Sequence, residues 1–236
     1  MKNEVFICFT KISDLDKRYV HDFFKYISKE KRDKLNLFKS DADYNRSLCA
    51  EIIVRQFFIE SFSLNNAEIH MNYDKLGKPY IENFPNTHFS ISHSGNYIIV
   101  AFSSELVGAD IEIIKDFNYN KIANRYFENS EKNYVFGAKS IASLKRFYNI
   151  WTIKESYTKL QGVGLTKGFN YFSVEKSQHS TNEFNVYDKN LNKQYLAKSY
   201  ELDDNYIFSI CSENDFNICL KSLDSKIVQK QFRCCH

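Results

Sequence analysis

The sequence predicts an α+β fold divided into two halves of mixed helix and strand. Three observations carry that prediction. Short strand-like runs and longer helical runs alternate along the 236 residues, with no single pattern dominating. Each half holds one long helical pattern, at 41–62 and at 144–162. A boundary near 103–106 separates them, giving an N-terminal subdomain over 1–104 and a C-terminal subdomain over 105–236.

The elements follow in order. "EVFICF" (4–9) reads as the first strand. "SDLDKRYVHDFFKYI" (13–27) opens with a Ser-x-x-Asp cap and continues as a helix. "SKEKRDKLNLF" (28–38) is basic, with Leu35, Leu37 and Phe38 available for packing. In the helix at 41–62, Leu48, Ile52, Phe58 and Phe62 fall near helical spacing with charges between them. "GKPYI" (77–81) is a turn entering a strand, and "HFSISHSGNYIIVAFS" (88–103) is two strands joined by Ser-Gly-Asn. "VGADIEI" lies in a strand over 106–114. Residues 121–137 and 144–162 read as two helices, the second capped by Gly162. The remainder, including 169–176, 183–188, 194–202 and 206–212, reads as short strands.

Composition narrows the class. Hydrophobic residues are 43% and charged residues 26%, ordinary for a soluble globular protein. A net charge of +3 is too small to argue for a nucleic-acid partner. No apolar run approaches the roughly 20 residues of a membrane span, and the N-terminus lacks a signal-peptide core. The six cysteines show no CxxC spacing, and Cys234 and Cys235 sit at the tail, so free thiols in a reducing, cytoplasmic setting are expected.

The chemistry centres on Asp110 and Glu112. Two residues apart on a strand, they share a face and repel unless a cation lies between them. The helix "WTIKESYTKLQG" adds Glu155 one turn before Lys159, with Lys154 beside it. Taken singly, these are a solvated strand face and a surface ion pair. Together, three carboxylates with lysines nearby suit Mg²⁺ (or Mn²⁺) completing its shell with substrate phosphate oxygens. The first half supplies Lys31, Lys34, Arg46 and Lys78, and "SISHSG" places Ser92 and His93 at a strand end suited to an anion.

The ordered set "ISKEKRDKLNLF", "DADYNRSL", "GKPY", "HFSISHSG", "GADIE" and "FYNIWTIKESYTKLQGVGL" resembles the 4′-phosphopantetheinyl transferases of the surfactin-synthetase-activator (Sfp) type, over about residues 24–175. The resemblance implies two similar α/β subdomains related by a pseudo-twofold axis, with the ligand in the cleft between them. The length favours the single-chain, monomeric type over the short trimeric one. The implied reaction moves the phosphopantetheine arm of coenzyme A to a serine of an apo acyl, peptidyl or aryl carrier protein. Adenosine 3′,5′-bisphosphate is the other product.

By the same resemblance, Asp110, Glu112 and Glu155 hold the metal, and Lys31, Lys34 and Arg46 hold the 3′-phosphate. Lys78, Ser92, His93, Lys154 and Lys159 contact coenzyme A. Glu155 is the candidate base, and Lys159 or Lys154 assists the leaving group. Trp151 and "GVGL" complete the signature, while Ala109 and Ser90 depart from the common pattern. Aromatics over 132–148, with Lys139, Lys145 and Arg146, offer a carrier surface or simply an amphipathic face. Two other readings stay open at this point. One is a metal-dependent phosphohydrolase acting on a coenzyme A-like diphosphate, and the other is a non-catalytic binder of anions or nucleic acid.

Overall fold

The computed structural model describes residues 3–14, 23–164 and 168–222. Strands β1 (Asn3–Lys11), β4 (His88–Ser94), β5 (Tyr97–Ser103) and β11 (Phe216–Ser222) form the first sheet, in the order β11–β1–β5–β4. Only the β1–β11 pair in it is parallel. The second sheet joins β6 (Val107–Ile113), β10 (Tyr206–Ser212), β9 (Lys193–Leu202), β8 (Glu183–Asp188) and β7 (Phe172–Lys176) in that order, all antiparallel. A small hairpin pairs β2 (Met71–Tyr73) with β3 (Pro79–Ile81).

Two helices of 22 residues each, α2 (Asp41–Phe62) and α5 (Ser140–Gln161), cover the outer faces of the two sheets. Shorter helices are α1 (Lys29–Leu35), α3 (Asn120–Tyr126) and α4 (Asn129–Phe136). Each half therefore repeats one order, strand, long helix, then a hairpin whose second strand pairs with the first.

Burial explains the layering. β5 and β10 are buried at every position, as central strands covered on both faces must be. Ile98, Val100 and Phe102 of β5 pack under α2 with Leu48, Ile52 and Phe58. Their neighbours Ile99 and Ala101 turn the other way, onto Val107, Ala109, Ile111 and Ile210 of the second sheet. Alternation along the strand thus builds a core between the sheets as well as under each helix. Phe58 is fully buried against the rings of Phe62, Phe84, Phe89 and Phe102, so truncation to Ala would cost about 3–5 kcal/mol.

Several expectations need correction. The helix expected over 121–137 breaks at Phe127 and Glu128, both extended. Glu128 and Glu131 form a capping box that starts a fresh helix, while Phe127 drops into the core. Leu35 is buried, but Leu37 and Phe38 are exposed. The division at 104/105 is crossed by β11, whose residues 216–222 return to the edge of the first sheet. Most of the helix expected over 13–27, and the Cys234–Cys235 tail, lie outside the described residues. Cys8, Cys49, Cys211 and Cys219 are free thiols. No helix among the described residues is long and apolar enough to cross a membrane.

Candidate active site

The sheets meet where β4 runs beside β6, and three serines make the seam. Ser90, Ser92 and Ser94 alternate along β4 and so project on one side. Their hydroxyls accept the backbone N–H groups of Ala109 (3.0 Å), Ile111 (3.3 Å) and Ser94's partner Ile113 (3.1 Å). These N–H groups belong to the edge of β6 that β10 leaves unpaired, so the serines satisfy donors that would otherwise be orphaned. Ser90 therefore has a structural role in the seam.

The same serines reach the acids. Ser92 Oγ donates to Asp110 Oδ1 (2.8 Å) and Ser94 Oγ donates to Glu112 Oε2 (2.7 Å). Lys159 arrives from α5 and donates to both Asp110 Oδ1 (2.7 Å) and Ser92 Oγ (2.8 Å). Asp110 Oδ2 is buried with no partner. A carboxylate oxygen in that position has lost its water and gained nothing in return.

Gly108 explains how a strand acid comes so close to a helix. A Cβ there would sit 1.8 Å from the Ser156 carbonyl oxygen and 2.6 Å from Leu160 N. Only glycine lets β6 lie directly on α5, which brings Glu155 to Asp110 and Glu112. The electrostatics reflect that approach. Burial, then the charge of Asp110, raises the Glu155 carboxyl to about 7, with Lys159 opposing. Burial also raises Glu112, and Asp110 adds to it against the Ser94 hydrogen bond and Lys159. Burial and then the Arg46 and Lys159 cations lower His93, which places these three groups around one another. Arg46 is steered by Asp43 and donates to Gly95 O (3.4 Å), with its Nε buried and unpartnered.

Other cations form two further groups. Lys78, lowered by burial, donates to Leu160 O (2.9 Å) at the end of α5 and so ties the hairpin to the second half. It lines a pocket of about 210 Å³ that also touches Pro79, Ser90, Thr158 and Lys159, so its walls come from both halves. Lys31 and Lys34 gather around Tyr73.

Lys154 is a correction. Its side chain is fully buried and ion-paired to the equally buried Glu131 at 2.9 Å. Phe172 lies 4.5 Å from the ammonium, with Phe127 and Phe169 beyond. A fully enclosed ammonium cannot touch a ligand phosphate or leaving group. Adjacent positions on a helix point about 100° apart, so Glu155 faces the cleft while Lys154 faces the core. Trp151 likewise packs on Phe147 and Phe169. Of the "GVGL" turn, Leu165 lies outside the described residues.

The region 132–148 is divided between buried and exposed positions. Val135, Leu144, Phe147 and Tyr148 are buried, Lys145 pairs with Glu201 (2.6 Å), and Arg146 donates to Tyr134 O (2.9 Å). Phe136 and Ile141 remain exposed.

The acids have the oxygen chemistry that a hard divalent cation takes, and the orphaned Asp110 Oδ2 fits such an ion. Among the described residues, no three His, Cys, Asp or Glu side chains already stand arranged to hold a metal. Lys159 occupies the place of the positive charge instead.

Sequence reasoning placed Ser94 beside His93 and noted Ser90, but did not connect Ser94 or Ser90 to β6, and it did not single out Glu131. The Ser-x-Ser-x-Ser alternation in "SISHS" was the available signal for the two serines. Nothing signalled the ion pair of Glu131, because its partner lies 23 positions along the chain, on another helix.

Comparison with known proteins gives a consistent family. The family model described as 4′-phosphopantetheinyl transferase superfamily matches residues 106–211. The model described as 4′-phosphopantetheinyl transferase, N-terminal, matches residues 16–105. The chain is 34% identical over 187 residues to the 4′-phosphopantetheinyl transferase ffp of Bacillus subtilis, covering 79% of this chain and 82% of the relative. It is 33% identical over 190 residues to Sfp of Bacillus subtilis strain 168, covering 80% and 84%. It is 31% identical over 205 residues to gsp of Aneurinibacillus migulanus, covering 86% and 84%.

Proposed function

This chain belongs to the 4′-phosphopantetheinyl transferase family, and from that premise we propose that it moves the 4′-phosphopantetheine group of coenzyme A onto a serine hydroxyl of an apo carrier protein. The observation that supports this most directly is the cleft cluster of Asp110, Glu112 and Glu155, with Lys159 and Ser92 drawn onto Asp110 from opposite halves.

The serine oxygen forms a bond to the β-phosphorus, and the bond from that phosphorus to the bridging oxygen breaks. Adenosine 3′,5′-bisphosphate leaves with the electron pair. Glu155 takes the serine proton on a carboxyl oxygen, its side chain lying in the cleft beside Asp110 and Glu112. Lys159 transfers its hydrogen bonds from Asp110 to the diphosphate and stabilises charge on the leaving oxygen. Ser92, His93 and Lys78 orient the diphosphate, and Arg46, Lys31 and Lys34 hold the 3′-phosphate. Mg²⁺ or Mn²⁺ on Asp110, Glu112 and Glu155 would supply Lewis-acid neutralisation of the diphosphate. The protein acts as a monomer in the cytoplasm.

Intact-mass analysis of candidate apo-carriers tests the reaction. After incubation with enzyme, coenzyme A and Mg²⁺, the carrier gains one phosphopantetheine. A carrier panel that stays unmodified while coenzyme A is consumed contradicts the proposal.

A further inference from the structure

The two lysines assigned to the 3′-phosphate share one aromatic side chain. Tyr73, on β2, is partly exposed at 39%. Its hydroxyl oxygen accepts from Lys31 Nζ at 3.4 Å, and Lys34 Nζ lies 4.4 Å from the ring centroid. Beneath them is Glu51, 2% exposed. Its Oε1 is taken by Arg55, through Nε at 3.0 Å and Nη2 at 2.9 Å. Its Oε2 faces Lys31 at 3.6 Å. We propose that Tyr73 is a positioning residue that sets selectivity for a phosphate monoester, holding Lys31 and Lys34 at one point so that coenzyme A is preferred over its 3′-dephospho form.

Charge supports this. The group holds three cations, Arg55, Lys31 and Lys34, against the single carboxylate Glu51, an excess that suits a dianion. The phenol adds no negative charge, because burial and then Glu51 push its pKa up to about 12. Geometry supports it too. An ammonium has three donors. Tyr73 takes one of those on Lys31, Glu51 draws the ammonium from 3.6 Å, and the side chain keeps 13% exposure toward a ligand. Without the phenol, Lys31 keeps the pull of Glu51 and turns inward, while Lys34 loses the ring face that anchors it and regains rotamer freedom.

The inference rests on the assignment of Lys31 and Lys34 to the 3′-phosphate, and the test separates the two. KM and kcat are measured for coenzyme A and 3′-dephospho-coenzyme A with wild type, Tyr73→Leu, Tyr73→Phe and Lys31→Ala. Tyr73→Leu should reduce the preference for coenzyme A by about fivefold, through KM for coenzyme A and not through kcat. Tyr73→Phe keeps the ring under Lys34 and should recover about half of that loss on a logarithmic scale. A collapsed preference in Lys31→Ala with an unchanged one in Tyr73→Leu overturns the role of Tyr73 alone. Parallel KM increases for both substrates in Tyr73→Leu overturn it as well, by showing a general structural role. A wild type that does not distinguish the two substrates overturns the 3′-phosphate assignment and the inference with it.

Discussion

Replacing Lys154 with Met separates a structural lysine from a catalytic one at the position where sequence and structure disagree. Both members of the Lys154–Glu131 pair are 0% exposed, so no solvent screens the loss. Met fills a similar volume, and Phe127, Phe169 and Phe172 already form an apolar sleeve around the ammonium. The main cost is the carboxylate left behind. Breaking a buried pair by removing one partner costs about 3–5 kcal/mol. Glu131 keeps N–H bonds from Val174 and Glu128, each at 2.7 Å, so the lower end applies. A loss of about 3 kcal/mol lowers the melting temperature by about 6–12 °C in a domain of this size. Lys154→Met/Glu131→Gln removes both charges and should recover at least half of that loss. Urea denaturation of the three proteins supplies the energies, and transfer assays well below the melting temperature supply rates per folded molecule. Transfer should follow the folded fraction. Wild-type stability in Lys154→Met together with abolished transfer would refute the reasoning and return Lys154 to the reacting groups.

Gly108→Ala places a methyl inside contact distance of the Ser156 carbonyl and should cost about 3 kcal/mol or more by pushing β6 off α5, read as loss of soluble protein or a lowered denaturation midpoint. Asp110→Ala should abolish transfer while circular dichroism stays native, and near-normal turnover would reject the role of that acid. Arg46→Ala should raise KM for coenzyme A more than for 3′-dephospho-coenzyme A, and equal increases would remove it from the 3′-phosphate. Glu155 has a folded pKa of about 7, above its unfolded value, so its contribution to stability is complete below pH ~4.3 and is lost as pH rises through 7. Without divalent metal, Glu155→Gln should therefore be more stable than wild type at pH 8, by up to about 3 kcal/mol, with the difference gone near pH 4. A variant equally stable at both pH values would show that Glu155 ionises normally.

Much of the site was legible because its residues lie on regular elements. Asp110 and Glu112 share a strand face, and Glu155 and Lys159 share a helix face, so periodicity alone groups each pair. The approach of the pairs to each other was not legible from spacing, since it depends on Gly108 removing a side chain between β6 and α5. Lys154 shows the limit of motif reading. A helix turns by about 100° per residue, so the neighbour of a cleft residue can be a core residue, and only Glu131 on another helix decides which. The parallel pairing of β11 with β1 was hidden for a similar reason, because nothing in "FNICLKS" specifies which sheet edge it will join. The break at Phe127–Glu128 had a local signal in the two glutamates at capping-box spacing, masked by strong helical patterns on both sides.

Titration of Mn²⁺ followed by electron paramagnetic resonance, with and without coenzyme A, tests most directly whether the three acids and the diphosphate share one cation. One ion should bind per chain, more tightly when coenzyme A is present, and Asp110→Asn should weaken it by at least about tenfold. Binding of Mn²⁺ that is unchanged in Asp110→Asn and indifferent to coenzyme A would contradict the account.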